Sequence, residues 1–105
     1  MSKRIYDLHA EVCKALAHPL RIEIIEALQN DELSFTKLAE ITDCPKSNLS
    51  QHLSNMTQKG ILRIRKDGLT NYYRLSSPKV AEACFLIREV LIENFKNHKE
   101  ILDNL

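Results

Sequence analysis

"KSNLSQHLSNMTQKGIL", residues 46–62, has three strongly apolar positions, Leu49, Leu53 and Met56, before its closing Ile-Leu. Stepped at about 100° per residue, those three fall within about 60° of one another and form a stripe that would dock on a core. Ser47, Gln51, Ser54 and Gln58 fall on the opposite face, with Ser50 and Asn55 at its edges. An ordinary solvated helix mixes Glu with Lys, whereas this one carries no acid. Short hydroxyls and amides donate or accept at base edges and phosphates and tolerate close approach to a duplex, where a carboxylate would be repelled. The stretch is therefore expected to be a recognition helix in the major groove of double-stranded DNA, with Lys46, Ser47, Asn48, Ser50, Gln51 and Ser54 at the contact. His52 points near the apolar stripe, which favours a packed or capping histidine over a base contact or a metal ligand.

The flanks place this helix in a fold. Ile5, Leu8, Val12 and Leu16 recur at helical spacing and predict a first helix over about 2–17. His18-Pro19 interrupts it, and a second helix over about 20–28 turns Leu20, Ile24, Ile25 and Leu28 inward. Ser34 reads as the N-cap of a third helix over about 35–42, with Leu38, Ala39 and Ile41 inward. Pro45 suits the first position of the recognition helix, and Gly60 its C-terminal cap. The period then changes. Leu62 and Ile64 alternate with Arg63 and Arg65, Asp67-Gly68 is a turn signal, and Tyr73 and Leu75 alternate with Tyr72 and Arg74. A last helix over about 79–103 has no internal Gly or Pro. The order describes a mainly α chain with a β-hairpin wing (α+β), a winged helix-turn-helix in one domain. Its helix-turn-helix covers about 35–59 and its wing about 61–76.

Charge agrees with that reading. Residues 46–76 hold six basic side chains, Lys46, Lys59, Arg63, Arg65, Lys66 and Arg74, against Asp67 alone, while the other residues hold nine basic and thirteen acidic ones. A basic block inside an otherwise acidic chain is the footprint of a phosphate-contacting surface. Arg63, Arg65, Lys66 and Arg74 are accordingly expected on phosphates flanking the groove or in the adjacent minor groove. A chain of 105 residues with no span-length apolar run and no apolar leader segment is expected to be cytoplasmic and not membrane-bound. No nucleophile triad, glycine-rich phosphate loop or paired carboxylate site is visible, so an enzyme is not expected.

"KALAHPLRIEIIEAL" (14–28), "LSQHLSNMTQKGIL" (49–62) and "KDGLTNYYRL" (66–75) together resemble the ArsR/SmtB family of bacterial metalloregulatory repressors. The similarity runs in register from about residue 11 to 76, and the last helix agrees in place and length. The resemblance implies a homodimeric repressor that leaves its operator when an inducer binds. The residues support a dimer independently. A helix of about 25 residues is roughly 38 Å long, more than a compact chain of this size is wide. Its apolar side chains (Val80, Cys84, Phe85, Ile87, Leu91, Ile92, Phe95 and Leu102) also cover more than one face. Helices 2–17 and 79–103 are the expected dimerisation elements.

The sensing site departs from the family's pattern. Arsenic and cadmium sensors often carry Cys-x-Cys on the helix before recognition, where this chain reads "DELSFTKLAE" (31–40) without a cysteine. At the positions matching the zinc sensors' last-helix ligands stand Glu82, Cys84, Phe95 and His98, and Phe95 cannot ligate. Cys13, Cys84 and His98 remain metal candidates, for As(III) or Zn(II), and Cys13, Cys44 and Cys84 remain redox candidates. Cys13 and Cys84 both lie on expected dimerisation helices and are candidates for approach within or between chains. Against each stands a packing role, favoured for Cys44. The expected function is a DNA-binding repressor released by a thiol-directed inducer. The rivals are a winged-helix protein-interaction module and a constitutive repressor with structural cysteines only.

Overall fold

The computed structural model describes residues 3–104. Five helices and three strands follow in the order α1 (Lys3–Leu16), α2 (Pro19–Ala27), β1 (Leu33–Ser34), α3 (Phe35–Thr42), α4 (Lys46–Gln58), β2 (Leu62–Asp67), β3 (Thr70–Leu75) and α5 (Lys79–Asp103). Ser2, expected in the first helix, lies outside the described residues.

The core forms where the apolar faces of α2, α3 and α4 meet the base of the wing. Ile24, Ile25, Leu38, Leu49, Leu53, Met56 and Leu62 are fully buried, with Ile61, Tyr73, Leu75 and Ala81 closing the edges. Local signals set the helix ends. His18 caps α2, its Nδ1 accepting the Leu20 N–H at 3.1 Å, and Pro19 takes the first helical position, where a missing N–H costs nothing. Ser34 Oγ accepts the Lys37 N–H at 3.1 Å and caps α3. Asp43 ends α3 in the left-handed region (φ 48°), a conformation that short polar side chains tolerate. Gly60 (φ 77°) ends α4 in a paired cap. Its own N–H reaches the Thr57 carbonyl at 3.1 Å, and the Ile61 N–H reaches that of Met56 at 2.9 Å.

Four expectations are corrected, and the exposure of Ile64 is a further finding. A third strand exists: β1 pairs antiparallel with β3 through Leu33↔Tyr73 and Ser34↔Tyr72, giving the order β1-β3-β2. Pro45 is the N-cap of α4 and not its first residue. The hairpin pairs Asp67 with Thr70, so the turn centres on Gly68-Leu69, one residue later than Asp67-Gly68. Gly68 supplies the positive φ (61°) at the first central position. Ile41 is exposed, because α3 has only eight residues and turns Leu38, with Ala39 beside it, to the core. Ile64 is also exposed, lying on the part of β2 that projects beyond the core.

The terminal helices bury little. In α1 Ala15 is in the core, while Ile5, Tyr6, Leu8 and Val12 face solvent. In α5 Ala81, Val80, Cys84 and Phe85 reach the core near the N-terminal end, and Leu86, Ile87, Val90, Leu91, Ile92, Phe95 and Leu102 are exposed. The radius of gyration is 16.6 Å, against about 13 Å for a compact chain of this length. Leu53 is fully buried at the centre of the α4 stripe, inside the single core cluster. Leu53→Ala is expected to lower unfolding free energy by about 2–5 kcal/mol, read as a shifted urea midpoint. A change within error would place the core elsewhere.

Candidate nucleic-acid interface

The buried stripe of α4 fixes which way its other side points. With Leu49, Leu53 and Met56 inside, Lys46, Ser47, Asn48, Ser50, Gln51, Ser54 and Gln58 are all exposed, and Asn55 is half-buried. The residues expected to read bases thus lie together on the outer side of one helix, with no carboxylate among them. Hydroxyls and amides there match the donor and acceptor edges of a major groove.

From behind, the helix is held by a residue the sequence reading passed over. Arg21, on α2, donates from Nε to His52 Nδ1 at 2.9 Å and from Nη1 to Asn55 Oδ1 at 2.7 Å and to the Ala15 carbonyl at 3.0 Å. One guanidinium therefore ties the end of α1, α2 and the recognition helix together. Within "HPLRIEII" its position beside the apolar Leu20 and Ile24 carried the only available signal, a cation bordering a core face. His52 is a packed histidine, as expected. Its ring lies 4.5 Å from that of His18, and its pKa is held below the usual 6.5 by burial, reinforced by the charges of His18 and Arg21. Lys59 makes a further tie, donating to Glu11 of α1 at 3.2 Å.

On the wing, Leu62, Ile64, Tyr73 and Leu75 share one face of the sheet, while Arg63, Arg65, Tyr72 and Arg74 share the other, paired as Arg63↔Arg74 and Arg65↔Tyr72. Arg63, Lys66 and Arg74 are exposed. Arg65 is engaged within the chain. Its Nη2 donates to Glu32 Oε1 at 2.6 Å, its Nε to both Glu32 oxygens at 3.1 Å, and its guanidinium carbon lies 4.4 Å from the Tyr72 ring centre.

The thiols are scattered in environment. Cys13 is exposed on α1. Cys44 is half-buried against the core with Sγ 3.4 Å from the Pro45 carbonyl oxygen. Cys84 lines a small apolar pocket with Ile22, Ile25, Ala81 and Phe85 between α2 and α5, and burial pushes its thiol pKa up. Among the described residues no three His, Cys, Asp or Glu side chains come together to hold a metal, so Cys13, Cys84 and His98 form no site within one chain. Among the same residues no helix is long and apolar enough to cross a membrane.

Known proteins are similar to this chain in sequence and fold. A family profile described as a helix-turn-helix domain matches residues 16–65. An HTH-type transcriptional regulator of Mycobacterium tuberculosis, Rv0081, is 34% identical over 105 residues, covering 99% of this chain and 92% of the relative. Its crystal structure superposes with a TM-score of 0.82 at 35% identity, covering 92% of this chain and 98% of that one. The transcriptional repressor PagR of Bacillus anthracis is 39% identical over 72 residues, 68% of this chain and 72% of its own. The homodimeric winged helix-turn-helix DNA-binding domain of Mb0332 from Mycobacterium bovis, a possible ArsR-family regulator, has a TM-score of 0.81 at 27% identity, covering 93% of each chain.

The neutral state of His52 is required for its lone pair to accept from Arg21, which ties the clamp to pH. Because the folded pKa lies below the unfolded value of 6.5, the contribution is complete above that value. It is lost as pH falls from there through the folded pKa. Thermal melting is expected to drop as pH falls below about 6.5, and His52→Gln to flatten that segment. A variant with the same pH profile as the wild type would remove His52 from the clamp's titration.

Proposed function

We propose, given that this chain belongs to the ArsR/SmtB family of winged helix-turn-helix transcriptional regulators, that it acts as a homodimeric repressor which a thiol-directed inducer releases from its operator. What carries the DNA contact is α4, a helix whose whole exposed face is polar, acid-free and backed by a fully buried stripe. Arg63, Lys66 and Arg74 on the wing supply charge for phosphates beside the groove, which positions the helix without reading sequence.

The dimer is supported by the unpartnered apolar side chains of α1 and α5, which a single chain leaves in water. An isologous pairing about a two-fold axis would cover both helices and present two copies of α4 to half-sites about one DNA turn apart. Repression has support from the likeness to PagR, a repressor, although an activator, HlyU of Vibrio cholerae, is also a relative at 37% identity over 67 residues.

For induction, Cys13 is the accessible thiol, and it sits on α1 among the apolar side chains that would meet the partner. A soft metalloid, an oxidant or a persulfide reacting there would act on the subunit contact. An As(III) or Zn(II) site with several ligands would have to draw them from both subunits. Induction then requires that the modified dimer favour an arrangement that spaces the two recognition helices wrongly. A constitutive repressor with structural cysteines is the second reading, favoured by the core packing of Cys44 and the raised pKa of Cys84.

Fluorescence anisotropy of the reduced protein on duplex DNA from upstream of its own gene tests these steps. Arsenite is expected to weaken wild-type binding and to leave Cys13→Ser bound. Binding that no thiol reagent disturbs would select the constitutive reading. Leu91→Glu combined with Phe95→Glu is expected to sediment as a monomer and to bind about a hundredfold more weakly, through loss of two-site attachment. A dimer that persists in this variant would move the subunit contact off α5.

A further inference from the structure

The outer face of the sheet concentrates positive charge in a way that folding alone does not favour. Arg63 and Arg74 stand directly opposite each other on β2 and β3, and like charges in that position destabilise a strand pair. Arg65, two residues along β2, lays its guanidinium over the Tyr72 ring and reaches across β3 to Glu32, the residue before β1. The side chains of Arg65 and Glu32 are 52% and 27% exposed, so the pair is open to a competing anion. Asp67 is a looser neighbour, at 3.8 Å from Arg65. The fork of two parallel N–H donors that Arg65 offers Glu32 is the one that arginine offers a phosphate. The donated hydrogen bonds hold the Glu32 carboxyl below its usual range, which keeps it ionised and in place.

We propose that Glu32 occupies the seat of a backbone phosphate on Arg65 and competes with DNA for that side chain, so that this carboxylate sets how strongly the wing grips any duplex. The inference rests on the DNA-binding reading above and adds to it a residue outside the recognition helix and outside the basic block. Phosphate contacts supply the sequence-independent part of affinity. Holding one arginine back lowers that part on every duplex alike and leaves the base contacts of α4 untouched. Glu32 is thus an affinity-setting residue that itself touches no DNA.

The test measures binding to a random-sequence duplex of about 30 base pairs across a salt series, where only phosphate contacts count. Glu32→Gln keeps the shape of the side chain and removes its charge. It is expected to bind more tightly than wild type at low salt, with a log–log salt slope steeper by about 0.9, one added phosphate contact. Its advantage should shrink about threefold between roughly 50 and 200 mM salt. In an Arg65→Ala background the same substitution should give no gain. Binding by Glu32→Gln equal to or weaker than wild type would overturn the proposal. So would an equal gain with Arg65→Ala, which would make Glu32 a general repulsive charge and not a competitor. Wild-type protein that shows no salt-dependent binding would instead remove the DNA reading itself.

Discussion

Burial of Leu49, Leu53 and Met56 is the constraint on which the rest of the molecule depends. The helix has thirteen residues and three of them lie in the core, so its orientation is fixed by a narrow stripe against α2, α3 and the base of the wing. A broader apolar face would hold it more firmly, yet would leave fewer positions for polar readers. Arg21 resolves that tension by adding directional bonds to His52 and Asn55 at the edges of the stripe. Packing supplies the depth of the helix and hydrogen bonding its rotation. Because the same guanidinium binds the Ala15 carbonyl at the end of α1 and Lys59 ties the end of α4 to Glu11, α1 is linked to α4 through two side chains.

Charge and apolar surface are segregated along the chain. The terminal helices carry most of the exposed leucines, isoleucines and phenylalanine, and the middle carries the basic block, with Ile64 and Leu69 exposed on the wing beside it. The wing's charge is itself graded: Arg63, Lys66 and Arg74 are exposed, and Arg65 is engaged with Glu32.

The elements that could be read from sequence were those with a period or a local stop signal. The α4 stripe, the Ser34 and Gly60 caps, the alternation of Tyr73 and Leu75, and the uninterrupted run of α5 each follow from neighbours within a few residues. What escaped was non-local or too short to have a period. β1 has two residues and exists because β3 offers it an edge. The turn at Gly68-Leu69 depends on register and not on the Asp-Gly dipeptide. Ile41 looked like core by composition, and a helix of eight residues had no second apolar wall to meet it. At the site, the exposed face of α4 was legible from helical geometry. The pairing of Arg65 with Glu32 and of Arg21 with His52 and Asn55 was not, since each of those partners lies more than thirty residues away in the chain.

Ile61 joins three parts of the molecule at one peptide. Its N–H closes the cap of α4 on Met56, its carbonyl accepts the Ser76 N–H where β3 ends, and its side chain is buried. The junction between the helix and the wing is therefore pinned at one residue and the glycine before it, in addition to the core packing between α4 and β2. Inheritance follows from that geometry. A recognition helix transplanted from a relative keeps its aim only when residues 46–61 travel as one cassette, and a single-residue insertion between Gly60 and Ile61 swings the wing as a rigid arm. Substitutions on the outer face of α4 leave that junction intact, whereas a change in the helix's length does not.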